Sequence, residues 1–249
     1  MKKINSIVFN KKNIAYKNNF SKVKNPFRTI VFLCGYMSDM EGTKSIFLEE
    51  LCTKENLGYV ALDYSGHGKS TGDFFEGSIS EWTQESLAVI DALVETPMIL
   101  IGSSMGGWIS LLVSLKLKKK VVAIINIASA VDFTEGLIWD ELTKKQKSIL
   151  MKKGKVDIKR GGSDYRITKK LIEDGRENLL LNKKILINIP VILMHGLCDK
   201  SVPVENSLKL AEKLSSKDVK IVLVKKSDHR MSEGHDLKLL GKELLELVG

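Results

Sequence analysis

Cysteine is scarce in this chain, and so is histidine. The three cysteines, Cys34, Cys52 and Cys198, are odd in number and lack Cys-x-x-Cys spacing, which excludes a disulfide framework and a zinc site and reads as reduced thiols. No run approaches the roughly 18 consecutive apolar residues of a membrane-spanning helix. The opening MKKINSIVFNKK has no apolar core of a secretory signal. A cytoplasmic protein without a membrane span is the expectation. Four histidines leave few candidates for a general base.

What is present is an ordinary globular balance, 43% hydrophobic and 28% charged residues over 249 positions, enough for a sizeable core in one domain spanning 1–249. The formal charge is +9. Fourteen Lys and Arg against nine Asp and Glu fall between residues 132 and 188, so over half of the excess sits in under a quarter of the chain. That reads as a solvated lysine-rich surface rather than a nucleic-acid face, and no nucleic-acid partner is expected.

Short β-branched runs alternate with segments of helical period, the pattern of a mostly parallel sheet with helices on both faces. After an antiparallel start at residues 7–10 and 13–17, strands are expected at 29–34, 59–63, 97–101, 121–127, 190–194 and 220–224. Helices are expected at 43–54, 80–94 (capped by Ser80), 107–117, 205–214 and 236–248. Between 132 and 188 the strand rhythm stops. That lysine-rich stretch, broken at Gly161-Gly162, reads as a mostly helical cap inserted between the sixth and seventh strands.

Gly102-Ser103-Ser104-Met105-Gly106 has the Gly-x-Ser-x-Gly spacing of a nucleophile turn. The serine has to sit on a strained strand-to-helix turn, where glycines two before and two after leave room for the neighbouring backbone. Gly68-Lys69-Ser70-Thr71-Gly72 repeats the spacing, but it lies in a polar loop with no helix following. Ser104 has the strand before it and the helix after it. The stretch GHGKST is no phosphate-binding loop, because Asp63 stands where that loop needs its first glycine.

A serine hydroxyl needs a base, and in this architecture the order is Ser, Asp or Glu, His. Order excludes His67, and His195 has no suitable strand-end acid before it. His229, in a loop after the last strand, is preferred to His235 at a helix edge, and Asp199, after the penultimate strand, is preferred to Asp228, which adjoins the histidine. Backbone N–H groups of Tyr36 and Met105 are the candidate oxyanion donors, and Met37, Trp108 and Met231 are candidates for an acyl pocket.

The set Leu33-Cys34-Gly35-Tyr36, Asp63-Tyr64-Ser65-Gly66-His67-Gly68, GSSMGGW, His195-Gly196-x-x-Asp199 and Asp228-His229-Arg230-Met231 resembles the α/β-hydrolase superfamily along nearly the whole chain. Within it the chain is similar to the abhydrolase-domain subgroup that contains a mitochondrial palmitoyl-protein thioesterase and acyl-glucuronide esterase. The resemblance implies a triad of Ser104, Asp199 and His229, hydrolysis of a carboxylic ester or thioester through an acyl-enzyme, and no metal or organic cofactor. The partner implied is a small-molecule ester or thioester or an acylated protein. Other serine-triad chemistry, peptide or carbon–carbon cleavage, and a non-catalytic binding module on the same fold are the alternatives. Cys34 departs from the pattern, standing where many superfamily members have histidine.

Overall fold

The computed structural model describes residues 5–160 and 163–249, with the backbone alone at 160, 163 and 164. The expected break at Gly161-Gly162 lies outside the described residues. Eight strands form one sheet. An antiparallel pair, β1 (Asn5–Phe9) and β2 (Lys12–Asn18), lies at one edge and joins β4 (Gly58–Leu62) antiparallel. From β4 onward the neighbours β3 (Thr29–Leu33), β5 (Met98–Ser103), β6 (Val121–Ile127), β9 (Val191–Gly196) and β10 (Val219–Val224) are all parallel. Strands β3, β4, β5 and β9 are buried along their whole length, as expected where helices cover both faces and the sequence is a continuous apolar run. On β1 half-buried and exposed residues alternate, the mark of an edge strand with one wet face.

The covering helices are α1 (Thr43–Lys54), α2 (Ile79–Leu93), α3 (Met105–Lys116), α6 (Glu205–Lys213) and α7 (Gly234–Val248). Among the boundaries that differ from the sequence reading are two helix starts. Helix α2 is capped by Ser78, whose side chain accepts from Glu81 N–H, so the cap lies two residues before Ser80. Helix α3 starts at Met105, directly after the serine.

Between β6 and β9 lie a π-helical turn (Thr134–Trp139), α4 (Lys144–Lys153), a hairpin of β7 (Lys155–Arg160) and β8 (Ser163–Thr168), and α5 (Lys169–Glu177). The hairpin corrects the expectation that strands stop between 132 and 188, while the rest of the segment is mostly helical. Its sequence alternates with period two, and register pairs Val156 with Ile167 and Ile158 with Tyr165 on one face, while Asp157 pairs with Arg166 on the other. That alternating run is only a few residues long and lies among lysine-rich segments of helical period. At the base of the insertion Asp132, at φ 58°, accepts from Leu180 N–H and Leu181 N–H and so joins its entry to its exit. Arg176 forms a bidentate pair with Glu135 at 2.7 and 3.2 Å inside it. No helix among the described residues is long and apolar enough to cross a membrane.

Candidate active site

Strand β5 runs straight into α3, and the turn between them is fixed by close backbone approach. A side chain at Gly102 would come within 2.3 Å of Gly106 O, and one at Gly106 within 2.0 Å of Leu33 O. Only glycine fits at either place. The turn holds Ser104 at φ 54°, ψ −119°, outside the regions open to ordinary residues, a conformation that costs about 1–3 kcal/mol. Hydrogen bonds from Ser104 N–H to Ile127 O and from Ala130 N–H to Ser104 O hold it there.

From opposite the serine comes the loop after β10. Nε2 of His229 is 3.1 Å from Ser104 Oγ, and its Nδ1 is 2.7 Å from Asp199 Oδ2. A carboxylate only accepts, so Nδ1 carries the ring proton and Nε2 is free to accept from the hydroxyl. Asp199 stands in the turn after β9. Its Oδ1 accepts from Ser201 N–H and Val202 N–H at 2.7 and 2.9 Å, and Nε2 of the buried His195 lies 3.2 Å from Oδ2. Burial acts to raise its pKa, but the hydrogen bonds from His195, His229 and the Val202 N–H outweigh it and hold the carboxyl well below the ordinary range.

The rival residues are occupied elsewhere. Ser70 Oγ donates to Asp63 O and accepts from Ala15 N–H. Asp228 closes its own turn, accepting from Arg230 N–H and Met231 N–H. His235 contacts Ser227 Oγ at 3.1 Å. His67 sits next to the turn Gly35–Met37 instead of the serine, accepting from Met37 N–H.

That turn passes beside the nucleophile: a side chain at Gly35 would lie 3.2 Å from Ser104 Cβ. Tyr36 follows Gly35 in that turn, and Met105 opens α3 directly after the serine, its N–H among the first-turn donors that have no intrahelical acceptor. A cavity of about 990 Å³ opens over Ser104 and His229. Its lining includes the apolar residues Tyr36, Phe133, Leu137, Ile138 and, from the hairpin, Ile158, Tyr165 and Ile167, together with the charged residues Lys44, Lys200, Arg230, Asp39 and Asp228. Lys44 Nζ donates to the carbonyl of Arg230, tying α1 to the histidine loop, and burial lowers its pKa to about 8 despite Asp228 and Asp236 nearby.

Of the three residues expected to line an acyl pocket, only Met37 borders the cavity. Trp108 and Met231 are corrections. Both are buried in the core behind the cavity lining, Trp108 with Nε1 donating to Asn178 O and its ring 5.8 Å from that of Phe133. The apolar residues of the insertion that line the cavity instead were missed; the period-two alternation of Val156, Ile158, Tyr165 and Ile167 was the available signal. No group of three or more His, Cys, Asp or Glu among the described residues is placed to hold a metal.

Comparison with known proteins agrees with this architecture. A family model described as serine aminopeptidase, S33, matches residues 24–177. The mitochondrial palmitoyl-protein thioesterase ABHD10 of Bos taurus is 36% identical over 241 residues, covering 95% of this chain and 76% of the relative. Among solved structures, a protein of Agrobacterium vitis described as a hydrolase superposes with a TM-score of 0.92 at 33% identity, over 99% of both chains. Alpha/beta hydrolase domain-containing protein 10 from mouse does so with a TM-score of 0.90 at 33% identity, over 99% of this chain and 98% of the other.

Proposed function

Because the chain belongs to the serine aminopeptidase, S33, family of α/β-hydrolases, in its abhydrolase subgroup, and is a hydrolase of ester or thioester bonds, we propose that Ser104, His229 and Asp199 are its catalytic triad. The observation that carries this is the unbroken chain of contacts Ser104 Oγ, His229 and Asp199, at 3.1 and 2.7 Å.

Ser104 Oγ attacks the acyl carbonyl while its proton passes to Nε2 of His229. Asp199, held ionised, keeps the ring in the accepting tautomer and stabilises the imidazolium that forms. Negative charge moves to the carbonyl oxygen, where Tyr36 N–H and Met105 N–H receive it; such a donor is worth about 10²–10³ in rate. The imidazolium protonates the departing alkoxide or thiolate, leaving an acyl-serine. Water, deprotonated by the same nitrogen, then attacks the acyl-serine, and the hydroxyl returns to Ser104 as the acid leaves.

The apolar lining of the cavity supports an acyl chain as the recognised group, with the hairpin residues Ile158, Tyr165 and Ile167 part of it. On this reading residues 132–188 are a cap on a single domain spanning 1–249, and the substrate is a small-molecule ester or thioester or an acylated protein, with a long acyl group of the kind named in the thioesterase relatives. The curated relatives are named mitochondrial, whereas the expectation for this chain is cytoplasmic.

The test is active-site labelling joined to turnover. A fluorophosphonate probe should label the protein at Ser104 and lose all labelling in Ser104→Ala, and acyl thioesters and aryl esters should be hydrolysed faster than peptides. Labelling at Ser70, or none, would favour a binding module. Preference for peptides would favour a peptidase.

A further inference from the structure

The loop after β4, Asp63-Tyr64-Ser65-Gly66-His67-Gly68, holds the turn after β3 at three points. Tyr64 Oη donates to Cys34 O at 3.2 Å, Met40 N–H donates to Asp63 Oδ1 at 2.7 Å, and Met37 N–H donates to Nε2 of His67 at 3.3 Å. The third contact falls at the strained place. Met37 is left-handed, φ 58°, and it follows Tyr36 directly.

The tautomer of His67 is set by its other nitrogen. Nδ1 lies 3.2 Å from Ser65 O, which can only accept, so Nδ1 carries the proton and Nε2 offers its lone pair to Met37. The ring is 3% exposed, with the rings of Tyr64, Phe74 and Trp82 centred 5.4, 4.9 and 5.2 Å away. Burial lowers its pKa to about 4, so it stays neutral at physiological pH. The Tyr36 ring packs on two of these three aromatics, 4.8 Å from Phe74 and 6.0 Å from Trp82. Cys34 gives the turn only weak support: its thiol faces Ser38 O and Leu62 O at 3.7 and 4.0 Å.

We infer that His67 is a positioning residue of the oxyanion hole, its unprotonated Nε2 fixing Met37 N–H and thereby the turn that presents Tyr36 N–H to the carbonyl oxygen. The inference rests on the reading of Tyr36 as an oxyanion donor. A misplaced donor matters when charge reaches the oxygen, so the loss belongs in kcat and not in KM.

Two variants separate the acceptor from the packing. His67→Phe keeps an aromatic ring and removes the acceptor, while His67→Gln restores an acceptor on the side chain. With a p-nitrophenyl acyl ester, His67→Phe should lower kcat about 10- to 100-fold with KM within about twofold, and His67→Gln should recover most of the loss. An alkyl trifluoromethyl ketone, which forms a tetrahedral adduct with Ser104, should weaken in parallel with kcat, whereas the matching alcohol should bind all three proteins alike. Unchanged kcat in a folded His67→Phe, equal loss of both inhibitors, or no recovery in His67→Gln would overturn the inference. If His67→Phe does not fold, ¹⁵N spectra of the unaltered enzyme decide: Nδ1–H at neutral pH is expected, and Nε2–H overturns the proposal. A native enzyme that neither turns over the ester nor binds the ketone would overturn the serine-hydrolase reading together with this one; a normal native enzyme beside an unaffected variant overturns this one alone.

Discussion

A single oxygen of Asp199, Oδ2, lies 2.7 Å from Nδ1 of His229, and the same oxygen is reached by His195 from 3.2 Å. The carboxylate is thus hydrogen-bonded on both sides and to two backbone N–H groups, which fixes its orientation before substrate arrives. Replacing it with an amide keeps the shape but offers Nδ1 a donor or a weaker acceptor, favouring the wrong tautomer. Asp199→Asn is expected to lower kcat about 10³–10⁴-fold while KM and thermal stability change little. Steady-state kinetics with melting curves checks this, and a loss below tenfold would remove Asp199 from the triad.

Chain-length preference should reside in the hairpin. Tyr165 faces the cavity opposite Ile158, while Arg166 points to the other face with Asp157. Each methylene that loses apolar contact forfeits about 0.8 kcal/mol, close to fourfold. Tyr165→Ala should therefore reduce the hexadecanoyl-over-butanoyl ratio of kcat/KM by about tenfold or more, and Arg166→Ala should leave the ratio unchanged. Equal losses on both esters would argue that the hairpin matters only for stability.

Gly106 tests the sterics of the turn. An added Cβ would meet Leu33 O at 2.0 Å, backbone that cannot swing away as a side chain can. Gly106→Ala should destabilise by about 3 kcal/mol or more, a melting temperature about 6–12 °C lower, with activity lost at once. A variant melting within about two degrees of the native protein would mean that the sheet and α3 separate more easily than this geometry implies.

Protonation of His67 supplies a stability prediction. Its pKa is about 4 in the folded chain against 6.5 unfolded, so between these values the unfolded chain binds the extra proton. The stabilisation is complete above pH 6.5 and is lost as pH falls toward 4, about 3 kcal/mol in all. In urea titrations the advantage of the native protein over His67→Gln should shrink from pH 7.5 to pH 4.5. A constant difference would show that the imidazole is not held neutral.

Much of the fold was legible because its signals are local. The runs TIVFL, GYVAL and VILMHG became buried parallel strands, and Thr43–Lys54 became the expected helix. In the hairpin Lys155, Asp157 and Lys159 alternate with Val156 and Ile158, but the run is short and lies among lysine-rich segments of helical period, so helical composition overrode alternation there. Trp108 and Met231 lie four and two positions past site residues in sequence, but Ser104 stands outside the helix that carries Trp108, and both side chains are buried in the core. For Ile158 and Tyr165, over fifty positions from Ser104 and further still from His229, alternation could mark a strand but not which site that strand would border.

The sequence by itself determined the sheet-and-helix rhythm and the turn around Ser104, because periodicity and the space needed by a glycine act over a few residues. Tertiary structure decided which histidine meets the serine, which loop supports Met37, and which face of the insertion roofs the cavity. Those depend on segments about thirty to 125 positions apart being set side by side by the order of strands in the sheet.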